Sequence, residues 1–120
     1  MQYMLLIYSD PALEPAYGTP EFTEMMAGFF NLNEKMKADG TMRGGEALKS
    51  VESATSLRMR GGKVETMDGP FATTKEHLGG YYIVDVPDLD AALKYAAMVP
   101  SASFGTVEVR PLMDYNPSGQ

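Results

Sequence analysis

The sequence contains no cysteine and only one histidine. Without cysteine, the chain cannot form disulfide bridges, thiol nucleophiles or cysteine-ligated zinc sites. Basic residues are also scarce, since ten lysines and arginines stand against 16 aspartates and glutamates, for a net charge of −6. Nucleic-acid phosphates and anionic membranes both require a basic surface. We therefore expect neither nucleic acid nor membrane as a partner.

Long hydrophobic runs are absent as well. The apolar run from Tyr3 to Tyr8 has no basic start and is too short for a signal peptide or a membrane span. We therefore expect a cytoplasmic protein. The length of 120 residues predicts a single domain over residues 1–120, and 44% hydrophobic residues are enough for a core.

Two helices are predicted from apolar residues at helical spacing. Thr19 and Pro20 begin the first helix and Gly40 ends it, while Asp88 begins the second and Pro100 ends it. The buried stripe of the first helix comprises Phe22, Met25, Met26, Phe29, Leu32 and Met36. That of the second comprises Leu89, Ala92, Leu93, Ala96 and Val99.

Strands are predicted over residues 2–8, 42–48, 81–86 and 106–112, and a hairpin joins residues 55–60 to 63–67 through Gly61-Gly62. The register of this hairpin predicts one polar, solvent-exposed side and one apolar, dry side. Asp68 to Phe71 forms a turn, Ala72 to Leu78 a polar connector, and Gly79-Gly80 opens the third of these four strands.

This element order is the β-α-β-β-α-β plan, so the predicted fold class is α+β, a ferredoxin-like antiparallel sheet with both helices on one face. The first strand and the strand after Gly80 are apolar on both sides. The face without helices therefore needs its own cover, because exposed apolar surface costs about 25 cal/mol per Å². A homodimer that pairs two such sheets would supply it.

The stretch from Asp68 to Tyr81, DGPFATTKEHLGGY, resembles the signature of the YCII-related family in its DGPF branch. The run from Gly105 to Leu112 and the opening strand with its Tyr8 to Asp10 end are also similar to that family. The resemblance covers nearly the whole chain and implies a dimeric α+β barrel. It also implies that the protein is a small enzyme or a ligand-binding protein, from a family whose genes often lie beside those of alternative sigma factors.

The same stretch supplies four candidate catalytic residues: Asp68, Lys75, Glu76 and His77. A histidine titrates near neutral pH and a lysine in a partly apolar site can change its charge state, so both suit acid/base work. Each candidate also has a purely structural alternative. Asp68 could hold the turn, Lys75 and Glu76 could be a solvated surface pair, and His77 could be an ordinary loop histidine. The YCII branch has a His–Asp pair with its histidine near the first helix, but residues 20–26 contain no histidine here.

Glu108 and Arg110 are candidate binding residues. They lie two apart on the last strand and so share a face, opposite Val107 and Val109. We expect them to point into the barrel or the dimer interface, either as a structural ion pair or as a polar centre that orients a ligand. The sequence indicates no metal site and no cofactor.

Three functions remain open at this stage. The first is a cofactor-independent acid/base enzyme that acts on a small molecule in a cleft near the DGPF residues. The second is a non-catalytic binding or regulatory module. The third is a purely structural dimer domain, so the sequence does not decide whether the protein is an enzyme.

Overall fold

The computed structural model describes residues 1–71 and 74–114. Its strands and α-helices are β1 (Gln2–Ser9), α1 (Pro20–Ala38), β2 (Met42–Ala47), β3 (Thr55–Arg60), β4 (Lys63–Asp68), β5 (His77–Asp85), α2 (Leu89–Ala96) and β6 (Thr106–Pro111). Short 3₁₀ helices cover Pro11–Leu13, Val51–Ser53 and Pro100–Ser103.

Four strands form one antiparallel sheet in the order β2-β5-β1-β6. Among the strands of the described residues, β3 and β4 pair only with each other. The strands β1 and β2 lie on either side of β5, which is the split βαβ arrangement predicted above. Both helices pack on one face, where Leu32 and Met36 of α1 and Ala92 of α2 meet Leu5 and Val84 of the sheet. The α+β, ferredoxin-like prediction is confirmed. Neither α-helix within these residues has the length and hydrophobicity that crossing a membrane requires.

Helix α1 begins and ends where the sequence predicts. The Thr19 hydroxyl accepts a hydrogen bond from the Phe22 N–H at 3.2 Å, and Gly40 follows the helix with a φ of +72°. Leu32 and Met36 are fully buried, but Met26 is about half exposed. The predicted stripe is therefore wrong at Met26, whereas Phe22, Met25 and Phe29 in the same half of the helix are partly buried.

Helix α2 is capped by Asp88, whose carboxylate accepts from the Ala91 N–H at 2.9 Å. Ala92 and Ala96 are buried, whereas Leu89 and Leu93 are nearly half exposed. The prediction that both leucines belong to the buried stripe is wrong. The small alanine side chains face the sheet and leave the leucines on the flank of the helix.

The two helices are also joined by a polar contact. The Tyr95 hydroxyl of α2 donates to Asp39 Oδ2 at 2.6 Å, and Lys35 Nζ lies 3.3 Å from the same oxygen. The hydrogen bond from Tyr95, together with Lys35, lowers the pKa of the Asp39 carboxyl because both stabilise its charged form. This contact fixes the end of α1 against α2.

Within residues 1–71 and 74–114, no helix lies over the opposite face of the sheet. Met4, Leu6 and Tyr8 of β1 point to this side and are only partly buried, while Tyr3, Leu5 and Ile7 are buried on the helix side. Tyr81 and Ile83 of β5 lie opposite Leu6 and Met4 on the same side. We call this surface the open face. The alternation predicted for both strands is confirmed.

The hairpin of β3 and β4 has the predicted register, with Arg58 opposite Glu65 and Met59 opposite Val64. We call residues Thr55–Asp68 the arm. Its predicted dry side is wrong, since Leu57, Met59 and Val64 are all more than half exposed. Alternation assigns side chains to two sides, but it does not provide an element that covers one of them.

Strand β5 begins at His77 rather than at the predicted Gly79. The predicted connector therefore shortens, and its residues Ala72 and Thr73 lie outside the described part of the chain. Strands β1 and β5 remain paired through the glycines of β5. The register of this pairing shifts between Ile7 and Tyr8 of β1, so one extra residue of β5 is accommodated there. Asp68 is likewise the last residue of β4 and not part of the following turn.

Candidate functional site

A cleft of about 360 Å³ opens between α1 and the strands β2 and β5. We call it the helix cleft. Its lining is mainly apolar and includes Ile7, Met25, Met26, Phe29, Met42, Tyr81 and Tyr82. Five polar side chains also line it: Ser9, Glu14, Asn33, Glu46 and Ser101.

Glycines allow the walls of the helix cleft to approach one another. A Cβ at Gly45 of β2 would lie 2.7 Å from Cδ1 of Tyr82, so a side chain there would displace the Tyr82 ring. A Cβ at Gly28 of α1 would lie 2.7 Å from Cγ of Pro100. The second contact brings the 3₁₀ helix that carries Ser101 against α1.

Two polar atoms of the helix cleft have no hydrogen-bond partner within the described residues. They are Asn33 Oδ1 and Ser101 Oγ, and the Ser101 residue is only 5% exposed. Ser9 is also buried, but its hydroxyl donates to Glu14 Oε1 at 2.5 Å. Buried polar groups in native proteins are nearly always paired, so these two atoms are groups beside the cleft that the described residues leave unsatisfied.

Tyr82 adds a phenol to the polar groups of this cleft. Burial raises the pKa of its phenol above the ordinary value of 10.0, because the charged phenolate is poorly solvated there. Tyr82 is therefore protonated at neutral pH. Its hydroxyl can donate or accept a hydrogen bond, and it is a poor base.

A second, wider crevice of about 630 Å³ lies where the arm joins the sheet. We call it the motif crevice because Pro70, Phe71, Glu76 and His77 line it. Its other lining residues are Thr74 and residues from β1, from positions 48–54 and from the start of β5. The Thr74 hydroxyl donates to the Glu76 carbonyl at 2.6 Å and holds the backbone there.

The structure separates the six residues predicted from the sequence. Glu76 and His77 share the motif crevice, whereas Asp68 and Lys75 are exposed and line neither cleft. Glu108 and Arg110 form an ion pair with each other on β6, opposite Leu6 and Met4 of the open face. The six side chains therefore do not converge on one centre.

No set of three histidine, aspartate or glutamate side chains in residues 1–71 and 74–114 lies close enough together to hold a metal ion. The helix cleft offers Glu14 and Glu46 as carboxylates, and none of its lining residues is lysine, arginine or histidine. Its electrostatics favour a neutral or cationic ligand over an anion.

Sequence reasoning missed the polar residues of the helix cleft. One signal was available for Asn33, since it lies four residues after Phe29 and three before Met36, within the apolar stripe of α1. A polar residue in such a stripe must be paired, solvated or functional. Ser101 gave no comparable signal, because it lies in the irregular segment after Pro100.

Comparisons with known proteins agree on a family. The model of the YCII-related domain matches residues 1–116. An uncharacterised protein of Rhizobium meliloti (strain 1021) is 36% identical over 119 residues, which cover 98% of this chain and 96% of that protein. The similarity thus extends over nearly the whole length of both chains.

Proposed function

We propose that this chain, which belongs to the YCII-related family, binds a small, largely apolar molecule in the helix cleft. The observation that carries the proposal is that two residues of a mainly apolar lining, Asn33 and Ser101, carry a buried Oδ1 and a buried Oγ without a partner among the described residues. Each unpaired buried polar group costs about 1–3 kcal/mol. A bound molecule that hydrogen-bonds to both, once the two side chains turn toward the cleft, would recover that free energy.

The lining residues define the class of ligand. A volume of about 360 Å³ is at the small end of ligand pockets. Asn33 Oδ1 requires an O–H or N–H donor, and the Ser101 hydroxyl can donate or accept. Because Glu14 and Glu46 are the charged residues of the lining, the ligand is a neutral or cationic molecule that carries a hydroxyl or an amine.

A second candidate function is an acid/base reaction without a cofactor in the motif crevice. It is favoured by one observation: Glu76 and His77 are the two predicted catalytic residues that line a common cavity. Asp68 and Lys75 would then act from outside that cavity, which weakens this candidate. Binding without turnover in the helix cleft is the function that the geometry supports better.

A homodimer is part of the same proposal. The open face places apolar side chains, among them Met4, Leu6 and Ile83, in a layer with no helix over it. A second copy of the sheet packed face to face would bury them and produce the dimeric α+β barrel that the family resemblance implies. The Glu108–Arg110 pair would lie at the border of that interface.

Sedimentation velocity tests the homodimer directly. We expect the wild-type chain to sediment as a dimer at micromolar concentration and Leu6→Lys to sediment as a monomer, since a lysine would be buried without a partner. Leu93→Lys on α2 is the matched control and should remain dimeric. A monomeric wild-type protein would contradict the proposal.

A thermal-shift screen of neutral and cationic small molecules tests the binding function. A ligand at 100 times its dissociation constant stabilises a folded protein by about 2.7 kcal/mol. We expect hits that carry hydroxyl or amine groups, and at least tenfold weaker binding to Asn33→Leu. Asn31→Leu, two residues away on the exposed side of α1, should bind normally. Equal binding to both variants would exclude the helix cleft as the site.

A further inference from the structure

The open face is ordered in rows that cross the sheet, because residues directly opposite one another in antiparallel strands point to the same side. Two neighbouring rows, read from β2 to β6, carry its apolar centre. The first row comprises Gly44, Ile83, Met4 and Arg110. The second row comprises Glu46, Tyr81, Leu6 and Glu108. Each row is apolar in the middle, and the charged side chains stand at the edges of the sheet.

The edge strand β6 presents one charge of each sign on this face. Arg110 ends the first row and Glu108 ends the second, whereas Val107 and Val109 pack against the core on the other side. The two charged side chains form an ion pair along the strand, and both are more than one-third exposed. An exposed ion pair adds little to the stability of a single chain. Both side chains therefore remain accessible to charges of a second molecule.

The opposite edge strand, β2, has a different pattern. Glu46 is exposed, and Gly44, two residues before it, has no side chain. Within residues 1–71 and 74–114, no basic side chain forms an ion pair with Glu46. One edge of the open face thus carries both signs of charge, and the other carries a negative charge beside a gap.

Two identical sheets can stack face to face about a two-fold axis in two aligned ways. In the first, the axis runs along the strands, so β6 lies over the partner's β2 and each row lies over the same row. Glu108 then faces the partner's Glu46, and symmetry repeats that contact. Arg110 faces the partner's Gly44, which offers no charge. Like charges set against each other across an interface are unfavourable, so this stacking is disfavoured.

In the second way, the axis crosses the strands at right angles, between the two rows. Each strand then lies over its own copy in the opposite direction, and the first row lies over the partner's second row. Arg110 faces the partner's Glu108, and symmetry repeats that contact with the roles exchanged. Glu46 lies over the partner's Gly44, where no side chain opposes it. Stacked sheets lie about 10 Å apart, a gap that arginine and glutamate side chains from the two sides can bridge.

We propose that two copies of the chain pair their open faces with the strands running in opposite directions, oriented by reciprocal contacts between Arg110 and the partner's Glu108. The apolar middle of the rows supplies the buried area, and the edge charges select the orientation. This inference rests on the homodimer proposed above and states which residues meet across it. It does not depend on a ligand in the helix cleft.

Reversing one charge at a time distinguishes the two stackings. Glu108→Arg sets two positive charges against two positive charges in the proposed dimer, so we expect its dimer dissociation constant to rise at least tenfold. Arg110→Glu should do the same with negative charges. In the other stacking, Glu108→Arg would meet the partner's Glu46 and tighten the dimer. Sedimentation equilibrium measures both constants, and a dissociation constant that is unchanged or lower in Glu108→Arg would overturn the proposal.

Matched charge reversals on the helices control for net charge. Glu24→Arg on α1 and Lys94→Glu on α2 change exposed side chains on the side of the sheet away from the open face. We expect both to dimerise within about twofold of the wild type. An equal rise in the dissociation constant of Glu24→Arg and Glu108→Arg would show that net charge, and not the proposed contact, determines dimerisation.

Mixing the two open-face variants tests the contact without relying on a loss. Glu108→Arg and Arg110→Glu chains, distinguished by tags of different mass, are combined and examined by native mass spectrometry. We expect heterodimers to exceed either homodimer at least tenfold, because every contact then joins opposite charges again. A misfolded variant could not be rescued in this way. A statistical mixture, or no heterodimer, would contradict the proposal.

The wild-type chain separates this inference from the homodimer on which it rests. A monomeric wild type would reject the homodimer and the stacking together. A dimeric wild type whose Glu108→Arg variant dimerises equally well would retain the homodimer and reject the stacking alone.

Discussion

The helix cleft and the motif crevice differ in how their polar groups are satisfied. Beside the helix cleft, Asn33 Oδ1 and Ser101 Oγ are buried and have no partner in the described part of the chain. In the motif crevice, Thr74 is paired with the Glu76 carbonyl. The charged residues of the DGPF stretch indicate chemistry at the second site, yet the unsatisfied groups occur at the first. Residue types that suit catalysis therefore do not by themselves locate a binding site.

The largest expected difference between the two clefts is in stability. Ile7 lines the helix cleft and is buried, so Ile7→Ala should lower the free energy of unfolding by about 2–5 kcal/mol. Leu48 lines the motif crevice and is half exposed, so Leu48→Ala should change it by about 0.5 kcal/mol or less. Urea unfolding followed by circular dichroism measures both. Equal losses would show that the crevice is as tightly packed as the core.

Removing one hydroxyl from each cleft should change stability in opposite directions. Ser101→Ala removes an unpaired hydroxyl and should raise the free energy of unfolding by about 1 kcal/mol or more. Thr74→Val removes the bond to the Glu76 carbonyl and should lower it by about 0.5–1 kcal/mol. Thermal unfolding of the ligand-free variants provides the test. A clear loss in Ser101→Ala would mean that its hydroxyl is satisfied.

The alkaline limb of the stability curve should depend on Tyr82. Burial raises the pKa of the Tyr82 phenol in the folded state above its unfolded-state pKa of about 10. The stability that the neutral phenol contributes is therefore fully present below the unfolded-state pKa and is lost as the pH rises through the folded-state pKa. Between pH 9 and 12 the wild type should therefore lose more stability than Tyr82→Phe. Tyr17→Phe, in which an exposed ring changes, controls for the loss of one phenol. Parallel pH curves for wild type and Tyr82→Phe would contradict this account.

The smallest expected effect concerns the motif crevice as a ligand site. Glu76→Gln and His77→Gln should change the dissociation constant of a helix-cleft ligand by less than about twofold, because neither residue lines that cleft. Calorimetric titration of each variant measures it. A loss of tenfold or more in either variant would transfer the site to the motif crevice.

Much of the fold could be predicted from the sequence because local signals agree with the tertiary structure. The cap at Thr19, the stop at Gly40 and the turn at Gly61-Gly62 each act within a few residues. The exposure of Met26 and the uncovered arm could not be predicted. Both depend on which distant element covers a surface, and spacing carries no such information.

The site was harder to predict than the fold for a related reason. Asn33 interrupts an apolar stripe and could have been identified, but its lack of a partner depends on residues far away in the sequence. Ser101 becomes part of the cleft only because Gly28 lets Pro100 approach α1. The site was predicted at the charged DGPF stretch because a sequence shows which residue types are present. It does not show the shape of a cavity.

The most direct test of the account is amide chemical-shift mapping of the ¹⁵N-labelled protein with the strongest ligand from the neutral and cationic screen. The account predicts that the largest shifts fall on residues around the helix cleft, namely Ser9, Asn33, Tyr82 and Ser101. Largest shifts at Lys49, Glu76 and His77 would contradict it, because they would place the ligand in the motif crevice.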